Sequence, residues 1–177
     1  AMRRARVREV HPNPAHLALA ELERRMPAFT LVTQNVDGLH QRAGSHHVLE
    51  LHGNIERVRC SREGRIVDTW EPCPEPPPRC PHCGAFLRPD VVWFGEPLPE
   101  AALEAAQTAA RSADVFLSVG TSSVVFPAAG LIDDALHAGA CVVEINPEPT
   151  PFTPRVTHAL RGPAGVLLPA LVGSLDP

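Results

Sequence analysis

The sequence predicts an α/β fold: a parallel sheet covered by helices and interrupted by a small inserted segment. Three observations predict it. Between residues 100 and 145, apolar runs of strand length alternate with stretches of helical periodicity, as parallel strands require, because each crossover carries a helix. Short polar sequences directly follow the apolar runs, where ligands of such sheets bind. From Cys60 to Pro89 the apolar periodicity stops, and six prolines fall between Pro72 and Pro81, so that stretch leaves the main core and holds no helix.

Asn13-Pro14 is a helix start, and Ala15, Leu17, Leu19, Leu22 and Met26 follow at near-helical spacing, predicting a helix over 14–26. Phe29 to Val32 reads as a short buried strand. Val48 to Gly53 and Ile55 to Cys60 read as extended segments separated by a Gly53-Asn54 turn. Beyond Glu96 come a helix over 100–111, a strand over 115–119, a helix over 127–137 and a strand over 141–145.

The 177 residues, 44% of them apolar, suffice for one sizeable core. A net charge of −4 gives no cationic footprint, so nucleic acid and anionic membrane surfaces are not expected as partners. The uncharged stretch from Val115 to Ile132 is broken by Gly120, Ser122 and Pro127 and does not read as a membrane span, and no secretory leader opens the chain. A cytoplasmic protein is expected. Five cysteines, three of them between Cys73 and Cys83, fit metal binding or isolated thiols better than a disulfide framework.

Four constellations could carry chemistry. Gln34, Asn35 and Asp37 follow the first strand, and their amides offer donor and acceptor together to a ribose or a carboxamide; Asn35 or Asp37 could equally cap the next helix. His52, followed by Gly53, is a residue type that takes hydroxyl protons near neutral pH, although a lone histidine is more often structural. Gly120-Thr121-Ser122-Ser123 ends an apolar strand before a helix and could meet phosphate or ribose oxygens, without any G-x-G-x-x-G fingerprint. Cys80-Pro81-His82-Cys83 is a zinc knuckle in need of a second pair, which leaves Cys60 with either Cys73 or Glu63 to complete the set. Cys141, inside an apolar strand, reads as a buried small hydrophobe.

Taken together, 33–40, Leu51-His52-Gly53, the cysteine knuckle, Val91 to Glu96, Gly120-Thr121-Ser122 and Ile145-Asn146 resemble the sirtuins, NAD-dependent protein lysine deacylases, in order and spacing from about Asn13 to Leu171. The resemblance implies a Rossmann-like NAD-binding domain over 1–54 and 90–177, with 1–12 a remnant of the helical cofactor-loop region and 55–89 a zinc-ribbon-like module. It implies His52 as general base, with Asn35 and Asp37 beside it in the catalytic pocket. Gln34, Asn35, Val36 and Asp37 would meet nicotinamide and its ribose, Gly120, Thr121 and Ser122 the ribose and phosphates, Asn146, Pro147 and Glu148 the adenosine ribose, and Ala164 the adenine.

Acyl-lysine proteins or peptides would pair between Phe94-Gly95-Glu96 and Val124-Val125-Phe126, with Val92 along the lysine channel. Zinc would sit on Cys60, Cys80, Cys83 and Cys73. The products implied are free lysine, nicotinamide and O-acyl-ADP-ribose. Arg3 resembles the arginine by which some sirtuins hold succinyl and malonyl carboxylates; it is otherwise one of several basic residues on a solvated helix end. The family's Gly-Ala-Gly-x-Ser phosphate loop has no counterpart in these residues. The chain is therefore expected to be part of a longer protein, with NAD hydrolysis or NAD binding without catalysis as the alternative functions.

Overall fold

The structure is a computed structural model that describes residues 2–70 and 77–175. Helix α1 (Met2–Glu9) precedes α2 (Pro14–Arg25). The Asn13 carboxamide oxygen accepts from the amides of Ala15 and His16 at 2.9 and 3.2 Å, and the Asn13 amide donates to His16 Nδ1 at 3.2 Å. Such a cap contributes about 1 kcal/mol, and Pro14 supplies a preset first turn.

Strand β1 (Leu31–Thr33) starts later than the predicted run 29–32. Phe29 packs against α2 instead of pairing, and the Leu31 amide makes the first contact to the neighbouring strand segment, at His47 O (3.2 Å). After the single-turn helix α3 (Leu39–Arg42), strand β2 (Val48–Glu50) pairs parallel to β1.

The chain then turns at Leu51-His52, so the expected Gly53-Asn54 turn is displaced by two residues. Leu51 is fully buried and its amide donates to Thr33 O at 3.0 Å, which closes the turn early. Gly53 and Asn54 already belong to β3 (Gly53–Cys60), which runs antiparallel to β4 (Leu87–Val91). Gly53 adopts φ +77°, and a Cβ there would stand 2.2 Å from Asp90 O. Only glycine allows the two backbones to pass at that point.

Helix α4 (Glu100–Ser112), strand β5 (Val115–Val119), helix α5 (Gly130–His137) and strand β6 (Cys141–Asn146) follow as the alternation predicts. The exception is that α5 begins at Gly130 and not at Pro127. Residues 126–129 form tight turns instead, with Gly130 N bonded to Pro127 O at 2.9 Å. Strand β7 (His158–Arg161) and helix α6 (Ala164–Gly173) complete the chain. Strands β5, β6 and β7 form a second parallel group in that order.

Helices cover both faces. On one, α4 and α5 bury Ala106, Ala110, Leu131, Ile132 and Ala135 against Val32, Leu49, Phe116 and Val142. On the other, α2 and α6 bury Ala15, Ala18, Leu22, Leu168 and Val172 against Leu117, Val119, Val143 and Ile145. Phe116 and Leu117, like Val142 and Val143, face opposite layers, as the two-residue strand period requires. The expected single sheet is divided: among the described residues no ladder joins β1 to β5. The two groups share the first of these cores and a contact at their carboxyl ends, described below.

The β3–β4 pair has its own small core of Val58, Cys60, Val67, Cys80 and Leu87, with Trp70 against it. No helix interrupts it among the described residues. No helix there is long and apolar enough to cross a membrane.

Candidate active site and metal centre

The loop leaving β1 is fixed by its own polar residues. Thr33 Oγ1 accepts from the Asn35 amide (3.1 Å), and the Asp37 carboxylate accepts from the Leu39 amide (3.0 Å) at the start of α3. Asp37 thus forms an Asx turn into α3 and is not its cap: the N-cap position is Gly38, with no side-chain cap bond. Asn35 stays exposed and Gln34 half-buried. From the other side, the Ile55 amide of β3 donates to Val36 O at 2.8 Å.

His52, half-buried in the turn between β2 and β3, places Nδ1 2.9 Å from Gln34 O. A carbonyl oxygen only accepts, so Nδ1 carries the proton and Nε2 presents its lone pair on the other side of the ring. That is the tautomer a general base needs, oriented by the same loop that displays Asn35 and Asp37.

The carboxyl end of β5 meets this loop. Gln34 Nε2 reaches Thr121 Oγ1 at 3.5 Å, and Thr121 Oγ1 also accepts from the Ser123 amide at 3.2 Å. Ser123 has φ +56°, and its buried hydroxyl has no partner among the described residues. Gly120 (φ +60°) has open space where a side chain would stand. The open space at Gly120 leaves its backbone accessible to a polar ligand.

One strand further, Asn146 Nδ2 donates to Glu148 O (2.7 Å), closing the loop through Pro147. Below it, Glu144 is 1% exposed and is held by Thr150, by Thr153 (2.6 Å) and by Arg161 (2.8 Å). Burial pushes this carboxyl up, but the hydrogen bonds prevail and hold it below its ordinary value. Arg161 also donates to Glu148 O at 3.0 Å, so the buried pair supports the loop. Ala164 is the first residue of α6.

The segment returning from β4 is pinned by Arg88, whose guanidinium grips both oxygens of Glu96 at 2.7 Å. That bond, helped by the Trp93 amide, lowers the Glu96 carboxyl to about 2. Arg88 also lies over the Trp93 ring at 4.1 Å. Phe94 is fully exposed, and Val124, Val125 and Phe126 are exposed as well; Val92 is half-buried and Gly95 exposed. Two apolar edges thus lack a covering layer.

Arg3 is exposed on α1 and takes no part in the hydrogen bonds or ion pairs among the described residues, whereas Arg4 and Arg8 of the same helix bond to β3.

Cys60, Glu63, Cys80 and Cys83 bring one ligand atom each to within 4.8 Å of one another. Cys60 Sγ and Cys83 Sγ are 3.4 Å apart, close to the separation of about 3.8 Å for two thiolates on one tetrahedral zinc. The Glu63 amide donates to Cys60 Sγ and draws that thiol below its ordinary value. The Ala85 amide pulls Cys83 the same way, but the neighbouring thiols push it up to about 11. Of the two fourth ligands left open by sequence, Glu63 stands at the cluster, and Cys73 lies outside the described residues. Cys141 is half-buried in β6.

No local sequence signal marks Arg88, Glu144 or Arg161, because each acts through partners that only the fold supplies.

Residues 1–127 match the Sir2 family model. A Thermus thermophilus NAD-dependent protein deacylase is 56% identical over 168 residues, 91% of this chain; the chain spans 65% of that relative's length. A Sir2 homologue solved in complex with NAD superposes with a TM-score of 0.88 at 46% identity, covering 94% of this chain and 66% of that one. A Sir2 homologue mutant solved with 2′-O-acetyl ADP ribose gives 0.87 at 46% identity, covering 96% and 71%. With this fold, this convergence of loops and these matches, the chain belongs to the Sir2 family.

Proposed function

We propose that the full-length protein removes acyl groups from protein lysines with NAD as co-substrate, releasing nicotinamide and O-acyl-ADP-ribose. The observation that carries the reading is His52, whose Nδ1 is held by the main chain of the 34–37 loop so that Nε2 is free to take a proton. NAD supplies the ribose carbon to which the acyl oxygen transfers and the nicotinamide that departs.

In this reading Gln34, Asn35, Val36 and Asp37 hold nicotinamide and its ribose, with Asn35 and Asp37 catalytic beside His52. Gly120, Thr121 and Ser122 receive ribose and phosphate oxygens through backbone amides and hydroxyls, and the open space at Gly120 supports that assignment. Asn146, Pro147 and Glu148 take the adenosine ribose and Ala164 the adenine. The acyl-lysine peptide adds as a strand between Phe94-Gly95-Glu96 and Val124-Val125-Phe126, satisfying its backbone there, and Val92 lines the path of the lysine arm. Arg3 contributes to recognition of acidic acyl groups such as succinyl and malonyl. Zinc on Cys60, Glu63, Cys80 and Cys83 holds the 55–89 module together, distinct from an NAD-binding domain over 1–54 and 90–177.

Nicotinamide release by the full-length protein, measured with no peptide, acetyl-lysine peptide and succinyl-lysine peptide, tests the function. Release that requires peptide and vanishes in His52→Ala is expected. Release without peptide would replace this reading by NAD hydrolysis, and absence of release by a binding role. Arg3→Met is expected to depress desuccinylation far more than deacetylation; equal loss of both removes Arg3 from acyl recognition.

A further inference from the structure

His52 stands where two separately paired bodies join. Strand β2 before it pairs with β1, strand β3 after it pairs with β4, and the chain re-enters at Val92, whose amide donates to His52 O at 3.0 Å. The angle between these bodies sets the imidazole relative to the 34–37 loop.

Beside the turn, β3 carries an enlarged bulge. Asn54 pairs with Asp90 and Val58 with Pro89, which leaves Ile55, Glu56 and Arg57 without partners on β4. Pro89 has no amide proton to offer at that step. The bulge groups find partners elsewhere: Ile55 N donates to Val36 O (2.8 Å), and Arg4 of α1 donates to Ile55 O (2.7 Å) and Arg57 O (3.2 Å).

A bulge redirects side chains, and here it turns Arg57 back across the junction. The Arg57 guanidinium lies 2.6 Å from the Glu50 carboxylate of β2 and 3.0 Å from Asp90 of β4. Glu50 is a hub: it also accepts from Gln41 of α3 (2.8 Å) and from Asn54 of β3 (2.7 Å). Its side chain is 11% exposed and that of Asp90 12%. Glu50, Arg57, Asp90 and Arg59 border a cleft of about 340 Å³ that Val92, Pro99 and Ala102 close from the other side. The ionic bridge therefore spans a gap that apolar packing leaves open.

We propose that Arg57, through Glu50 and Asp90, is a positioning residue that fixes the angle between the β1–β2 and β3–β4 pairs and thereby holds His52 against the 34–37 loop. The kinetic consequence rests on the deacylase reading above; the mechanical one does not.

The test uses the full-length protein with Arg57→Met, Arg57→Lys and the neutral triple variant Glu50→Gln/Arg57→Met/Asp90→Asn, which leaves no unpaired carboxylate if the single variant fails to fold. Hydrogen exchange of the Ile55 and Val92 amides, which bond across the junction, is expected to accelerate by about tenfold or more in Arg57→Met and in the triple variant, while Val142 and Ile145 amides in β6 keep their rates. In nicotinamide release kcat is expected to fall by a similar factor with KM for NAD and peptide within about twofold, and Arg57→Lys to recover part of it. Unchanged exchange at Ile55 and Val92, or faster exchange with kcat unchanged, overturns the proposal. If the wild type releases no nicotinamide, the deacylase reading fails, and the exchange comparison alone decides whether Arg57 fixes the junction.

Discussion

The parallel-stranded body carries fully buried Leu51, Val142, Ile145 and Leu168 in two apolar layers under four helices, whereas the β3–β4 module buries five apolar side chains among the described residues, two of them cysteines. The body can be held by area removed from water. The module is too small for that and relies on a thiol and carboxylate cluster, a braced bulge and charged pairs. His52 belongs to neither: its backbone is positioned by both, so lesions of very different kinds converge on one imidazole.

The largest expected effect lies in the body. Ile145→Ala removes a fully buried side chain of β6 and should cost about 2–5 kcal/mol in urea unfolding; a loss confined to the module would break the comparison. Next comes Gly53→Ala at the junction, where the new Cβ meets Asp90 O. A cost of about 1–3 kcal/mol is expected, together with loss of the Val92 to His52 bond, read from Val92 amide exchange.

Metal removal separates the two regions most cleanly. Zinc analysis of the purified protein should give about one ion per chain, and chelation should accelerate exchange at Val58 and Leu87 while Val142 and Ile145 stay protected. Simultaneous melting of both regions would show that they are not independently held.

The smallest effect is acid sensitivity. The His16 and His40 rings meet in the body with centroids 4.7 Å apart and planes tilted by 51°, and burial lowers both imidazoles from their ordinary value of 6.5. The folded state thus binds fewer protons than the unfolded one, and the stability of the neutral pair is complete above about 6.5 and lost as pH falls through the folded values. Glu96 behaves likewise from a lower start: its contribution is complete above its ordinary 4.5 and lost as pH falls toward about 2. Amides of α2 and α3 should therefore respond as pH falls below about 6.5, with Trp93 fluorescence changing only near pH 2. A Trp93 response at the higher pH would contradict the Arg88–Glu96 account.

Helices α2 and α4 and strands β5 and β6 were legible because their signals are local: the Asn13-Pro14 cap and an apolar period within each segment. Strand β7 has three of its four residues exposed and shows no apolar run, and α6 contains Pro169, which reads as a helix breaker although the helix continues through it. Among site residues, His52 could be suspected from Gly53 beside it and the motifs around it. Glu144, Arg57 and Arg88 could not, since their partners lie 17, 33 and 8 positions away in the chain. At the metal centre Glu63 stands with Cys60, Cys80 and Cys83, and Cys73 lies outside the described residues.

Product analysis tests the central claim most directly. The full-length protein is incubated with NAD and an acyl-lysine peptide, and the acyl group is followed by mass spectrometry. If His52 serves transfer to the NAD ribose, the acyl group appears on ADP-ribose and nicotinamide is released in equal amount, with neither product from His52→Ala. Free carboxylic acid formed with NAD intact would contradict the account.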